Sequence, residues 1–260
     1  YWYAQQSGWT ESIPNTGGGV VGNASNAHEL TALVEELNAK HAIVMIGGRC
    51  AILNETFDPI LRRPDVTLSG VVDFQQRYGN RTVQIGARQQ PVAKIWLAHK
   101  NRRQYEGLCF APGRDIADHY NLDHGFSVEP KAGDCSKFLA HISSNICSDD
   151  PKHYGYLISW MADAVQNRDV RPGVAVVLRG GEGVGKGFFA REFGVLFGPH
   201  FLHISQIRHL TGHFNAILKD KLVVFADEAV FAADRSVESV LKAVISEPTH
   251  VIELKGKDAL

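Results

Sequence analysis

Val174-Ala-Val-Val-Leu-Arg-Gly-Gly-Glu-Gly-Val-Gly-Lys186-Gly-Phe-Phe-Ala-Arg-Glu-Phe193 is the stretch from which the rest of the chain is read. Val174 to Leu178 is a short apolar run suited to a buried parallel strand, and Phe188, Phe189, Phe193 and Leu196 recur at helical spacing. Between strand and helix lies a glycine-rich turn. Gly180 and Gly185-Lys186 satisfy the phosphate-binding pattern G-x-x-x-x-G-K, while Gly181 and Gly183 free the backbone to curl. In such a turn the N–H groups of the segment, those of Glu182 and Val184 included, line an anion nest. The following helix presents its positive end, and the Lys186 ammonium reaches the outer phosphates.

One position departs from the pattern. The residue after the lysine usually offers a Ser or Thr hydroxyl to Mg²⁺, and in this chain it is Gly187. The phosphate cradle does not need that hydroxyl. The metal shell does, so water or a hydroxyl from elsewhere is expected to complete it.

Downstream, Phe201 to Ile204 predicts a second strand, and Lys221-Leu-Val-Val-Phe-Ala-Asp227-Glu228 an apolar strand ending in two acids. Placed beside the strand of the phosphate loop, such a strand brings Asp227 to Mg²⁺ and Glu228 to the attacking water at a γ-phosphate. A helix with Val237, Val240, Leu241, Val244 and Ile245 on one face follows. His250 to Leu254 and Lys255-Gly-Lys257 then read as an extended arm able to touch phosphates, or as a surface turn with solvated lysines.

Upstream, residues 1–25 read as a Gly/Asn/Ser-rich linker or the end of a preceding domain, and residues 26–130 as a smaller α+β connector. In the connector, Asn26 is placed to cap a helix through Leu30, Leu33, Val34 and Leu37, and His41 to Ile46 and Cys50 to Leu53 flank Gly47-Gly48 as a hairpin. A helix at Val71 to Tyr78, a strand at Thr82 to Ile85, a helix near Val92 to His99 and a strand at Tyr105 to Phe110 complete it. Lys100-Asn-Arg-Arg103, bracketed by Trp96 and Tyr105, is either a nucleic-acid grip or, the favoured reading, a solvated loop with its aromatics in the core. His119 and His124 lack a partner at metal-ligand spacing and read as structural. Residues 131–260 hold two lead-in helices, from Asp134 and from about His153, a break at Pro172-Gly173, and the phosphate-loop domain.

With 260 residues and 44% hydrophobic content the chain can build a real core. Its formal charge of −1 gives no whole-molecule pull toward nucleic acid, so any such binding rests on local patches. Cys50, Cys109, Cys135 and Cys147 lie far apart, which disfavours a zinc site or disulfide framework and reads as buried or free thiols of a cytoplasmic protein. No apolar run reaches membrane-spanning length. The chain does not begin with Met and its last residues carry no stop pattern, so it reads as part of a longer protein.

Together, the break before Val174, the segment from Gly180 to Gly187, the block from Phe214-Asn215 to Glu228 and the Leu241-Lys242 to Lys257 segment resemble the superfamily 3 helicases of the AAA+ class, including those of phage primase-helicases. The resemblance covers roughly residues 150 to 260. It implies an α/β P-loop NTPase fold with a parallel sheet, incomplete at its C-terminal end. It further implies ATP and Mg²⁺ as ligands, Lys186 on the β- and γ-phosphates, Asp227 on the metal and Glu228 as catalytic carboxylate. Lys255 and Lys257 would touch single-stranded DNA, the full-length protein would form a hexamer, and a primase could be fused or associated. The sensor residue and arginine finger would lie beyond Leu260, so residues 1–260 by themselves are expected to hydrolyse ATP weakly. Two other readings stay open: a P-loop ATPase of another DNA-handling machine, and a nucleotide-binding scaffold without turnover, which Gly187 favours.

Overall fold

A computed structural model of the chain describes residues 23–206, 216–227 and 235–247. They form a mixed α/β structure with small sheets.

The first part is organised by β1 (His41–Ile46) and β2 (Arg49–Asp58), joined through Gly47 and Gly48. Both glycines have positive φ, 55° and 71°, the backbone state a tight hairpin needs and a side chain resists. The expected hairpin therefore forms, with β2 longer than its apolar run suggested. β3 (Arg63–Ser69), unforeseen because its apolar positions are sparse, pairs antiparallel with β2, and β6 (Gln104–Tyr105) pairs parallel with β1, giving the order β3-β2-β1-β6.

The unbroken apolar run of β1 has a simple cause: both faces of the sheet are covered. On one face Ile43 and Ile52 meet Leu33, Val34 and Leu37 of α1 (Asn23–Asn38), Phe74 of α2 (Val71–Arg77), and Val92, Ala93 and Trp96 of α3 (Val92–Ala98). On the other, Ala42, Val44, Ile46, Ala51 and Leu53 meet Tyr120 and Leu122. Trp96 is fully buried and its indole N–H donates to Asn38 Oδ1 at 2.8 Å. The helix drawn from an Asn26 cap begins at Asn23 instead. The single strand expected at Tyr105 to Phe110 is split: β7 (Gly107–Cys109) leaves the main sheet to pair with β8 (His119–Asn121), while β4 (Thr82–Ile85) and β5 (Arg88–Pro91) form a separate hairpin.

Within the basic run after α3, Arg103 is turned to the protein itself while Lys100 is exposed. Arg103 donates to Asn38 O, to the Tyr105 hydroxyl and to Glu55, and its guanidinium lies over the rings of Tyr105 and Tyr120. A cation with all these partners has little left for a phosphate.

The second part starts with α4 (Ser136–His141), which passes into a π-helical turn at Ile142–Ile146, and α5 (Pro151–Gln166), capped by the Asp150 carboxylate on the Lys152 and His153 amides. Next come α6 (Lys186–Val195), β9 (Phe201–Ile204), β10 (Val223–Ala226) and α7 (Arg235–Ser246). Ile142, Cys147, Leu157 and Phe189 form its core, with Val176, Leu178 and Met161 packed around them. β9 and β10 pair in parallel.

Val174 to Leu178, expected as a strand of that sheet, is not one: among the described residues it enters no ladder, and β10 pairs with β9. Val176 and Leu178 pack against the helical core while Val174 and Val177 are exposed, and the run lacks a strand to bond with among the described residues. Apolar content predicts burial on a sheet, and the pairing depends on which edge is offered.

The two parts meet at a polar junction. Arg168, just after α5, donates to Asp123 Oδ1 at 3.1 Å and lies 4.6 Å from the centroid of the Phe126 ring. His200 takes a defined tautomer, because Nδ1 can only donate to Asp220 O at 2.7 Å while Nε2 can only accept from the His124 amide at 2.8 Å. The His124 ring stacks on that of His200, and His119 Nδ1 lies 3.0 Å from Ala117 O. The four cysteines are free, Cys147 buried and Cys50 and Cys135 exposed. No helix among the described residues is long and apolar enough to cross a membrane.

Candidate phosphate-binding site

The glycine-rich turn ends in a left-handed residue immediately before the helix begins. Gly183 has φ 76° and Gly185 φ 91°, and α6 starts at Lys186. Both conformations resist a side chain, which explains why glycine stands there. The first amides of α6 have no intrahelical acceptor and are free for an anion. Lys186 folds back over the turn: its Nζ donates to Gly180 O at 2.9 Å and Gly181 O at 2.8 Å. Those carbonyls hold the exposed ammonium at the loop itself.

Several contacts around the loop have no signal in the glycine pattern. His141, in the last turn of α4, packs edge-on to Phe188 with ring centroids 5.2 Å apart, and its Nε2 lies 3.4 Å from Gly185 O. A Cβ built on Gly185 would come within 2.3 Å of His141 Cε1, so this glycine is required by the neighbour as well as by φ. The signal for His141 was its place three residues after Phe138, which also meets Phe188. At Gly187 a Cβ would lie 2.9 Å from Arg191 Nη1. Beside α6, an open cavity of about 410 Å³ is lined by Phe138, Met161, Phe188 and Phe193, with Lys137 and Glu192 at its polar points.

α6 closes on the β9–β10 pair at one end. A Cβ on Gly194 would strike the ring of Phe201 at 2.4 Å, so the last turn of the helix rests on the first residue of β9. Asp227 follows β10, its amide donating to Ile204 O at 2.8 Å and its Oδ2 lying 3.5 Å from His203 Nε2. Its side chain is half-exposed. The expected adjacency of the two strands is thus replaced by an indirect link, in which α6, seated on β9 and β10, carries the loop.

Glu228, Lys255 and Lys257 lie outside the described residues, as do residues 1–22 and 207–215, the latter including His213 to Asn215. For Mg²⁺, Asp227 is the described member of the expected shell, and Glu228 beside it lies outside the described residues. Gly187 has no hydroxyl, and among the described residues no group of three or more His, Cys, Asp or Glu side chains gathers.

Comparison with known proteins gives two matches. Residues 178–260 match the profile of a family described as a family of unknown function (DUF5906). Over 124 residues the chain is 32% identical to the DNA primase-polymerase of Nitratiruptor phage NrS-1. That match covers 46% of this chain and 17% of the phage protein, so the chain spans only a small part of the relative's length. No solved structure matches.

Proposed function

We propose that this chain is part of a phage-type DNA-replication protein and that residues 131–260 belong to an ATP-driven helicase module related to superfamily 3. The observation that carries the nucleotide reading is the loop itself: left-handed Gly183 and Gly185 lead into α6 with the Lys186 ammonium drawn over the turn. In this reading a triphosphate displaces the two carbonyls from Lys186, exchanging neutral acceptors for charged phosphate oxygens and so strengthening each bond. The amides from Val184 to Gly187 take the remaining oxygens. The apolar cavity along α6 is wide enough to receive the nucleobase against Phe138 and Phe188.

Asp227 and Glu228 act at the γ-phosphate in this reading, with Glu228 orienting the attacking water. It is supported by the anchoring of α6 on β9, which joins loop and acid-bearing strand in one packed unit. Asp227 would hold the divalent cation in this reading, directly or through water, in place of the hydroxyl that Gly187 lacks. The phage relative's name supports DNA as partner; Lys255 and Lys257 as the single-strand contacts and a homo-hexamer as the working form rest on the resemblance to the superfamily 3 helicases alone. A second reading, a nucleotide-binding scaffold without turnover, is favoured by the missing hydroxyl at Gly187.

ATPase assays of the full-length protein with and without single-stranded DNA separate the two. Stimulated turnover that Lys186→Ala abolishes supports the motor, and tight binding without turnover supports the scaffold. Unchanged ATP affinity in Lys186→Ala removes both. In the motor reading, Lys255→Ala with Lys257→Ala weakens DNA stimulation and lowers the salt dependence of DNA binding by about two contacts' worth.

A further inference from the structure

Gly187 and Arg191 sit one helical turn apart on the same face of α6. Helical side chains lean toward the N-terminus, and the Arg191 guanidinium does so in this helix, toward the phosphate loop. A Cβ placed on Gly187 would meet Nη1 at 2.9 Å, Cζ at 3.7 Å and Nη2 at 3.8 Å. The guanidinium thus lies across the space into which a Ser or Thr at 187 would project its hydroxyl. The missing hydroxyl and the nearby cation belong to one arrangement, because a side chain at 187 would make the guanidinium shift from its present place.

Arg191 is also available. It is exposed, and among the described residues it has no carboxylate or aromatic partner, unlike Arg81, Arg103 and Arg168, which are all engaged. A guanidinium is a fork of fixed N–H donors suited to phosphate oxygens. The geometry points to Arg191 as a second cationic clamp on the bound triphosphate, standing where the usual pattern holds a divalent cation and making nucleotide binding by this chain largely independent of the metal. The inference rests on the phosphate-loop reading above.

The test is titration of a fluorescent ATP analogue, with Mg²⁺ and with excess EDTA, on the full chain and four variants. Wild type is expected to keep its affinity in EDTA. Arg191→Ala should lose about tenfold or more in EDTA, the worth of a hydrogen bond to a charged group, and Arg191→Lys should recover part of it. Gly187→Ser combined with Arg191→Ala should bind in Mg²⁺ and fail in EDTA, having restored the ordinary metal shell. Lys186→Ala should fail in both. Circular dichroism melting checks that the surface variants fold.

Strong metal dependence of the wild type, or unaltered EDTA affinity in Arg191→Ala, overturns the assignment while leaving the phosphate loop standing. Absence of binding by wild type, or Lys186→Ala binding as well as wild type, overturns the phosphate-loop reading and this inference with it.

Discussion

The imidazole of His141 occupies the space that a side chain on Gly185 would need, with Cε1 2.3 Å from where that Cβ would stand. The lead-in helix α4 is thereby keyed to the last residue of the phosphate loop, and Phe188 is held between Phe138 and His141.

From this contact follows a pair of mutational outcomes. Gly185→Ala must both give up φ 91° and displace His141, so it should abolish nucleotide binding. His141→Ala leaves the loop intact but unsupported, and its nucleotide affinity should fall by roughly tenfold with little change in apo melting temperature. His141→Gln, which retains a polar group of similar reach, should recover most of the loss. Calorimetric titration of the three variants provides the measurement, and equal affinities for His141→Ala and wild type would reduce the histidine to packing.

The junction between the two parts gives a stability outcome. The Asp123 side chain is 7% exposed and that of Arg168 16%, and Asp123 also accepts from the Gly113 amide. Asp123→Ala strands a largely buried guanidinium and an amide, and it should cost about 3 kcal/mol in denaturant unfolding. Asp123→Asn, which keeps the shape and the amide bond, should cost less. Equal costs would show that the charge of the pair is immaterial.

His41 sets an acid limit on the fold. Burial pushes its imidazole down from 6.5 to about 4, against the raising effect of its bond to Asn54, and Nε2 accepts from the Tyr78 hydroxyl at 2.6 Å. The native state holds this ring neutral, so as pH falls below 6.5 the unfolded chain takes up the extra proton. Stability is full above that pH and declines toward about 4. His200, also held low chiefly by burial, acts in the same direction. Melting temperature measured across this range should fall with acidification, and His41→Leu should flatten the slope. An unchanged slope in that variant would assign the acid sensitivity elsewhere.

Much of the local structure was legible because local rules decide it. Positive-φ glycines wrote the β1–β2 hairpin and the glycine-rich turn before α6, and the spacing of Leu33, Val34 and Leu37 wrote the buried face of α1. The pairing of strands was not legible in the same way. Val174 to Leu178 has the composition of a sheet strand and no ladder, while β3, with polar residues at half its positions, pairs along its whole length.

The site divides along the same line. The sequence by itself determined the form of the glycine-rich turn, because glycine conformation, a helix start and one lysine are properties of consecutive residues. Only the tertiary structure decided what surrounds that turn: the imidazole of His141, 44 residues away in the chain, and the placement of the Arg191 guanidinium over Gly187. Contacts between distant segments depend on how the helices pack, and packing is set by volume and shape over the whole core rather than by any motif.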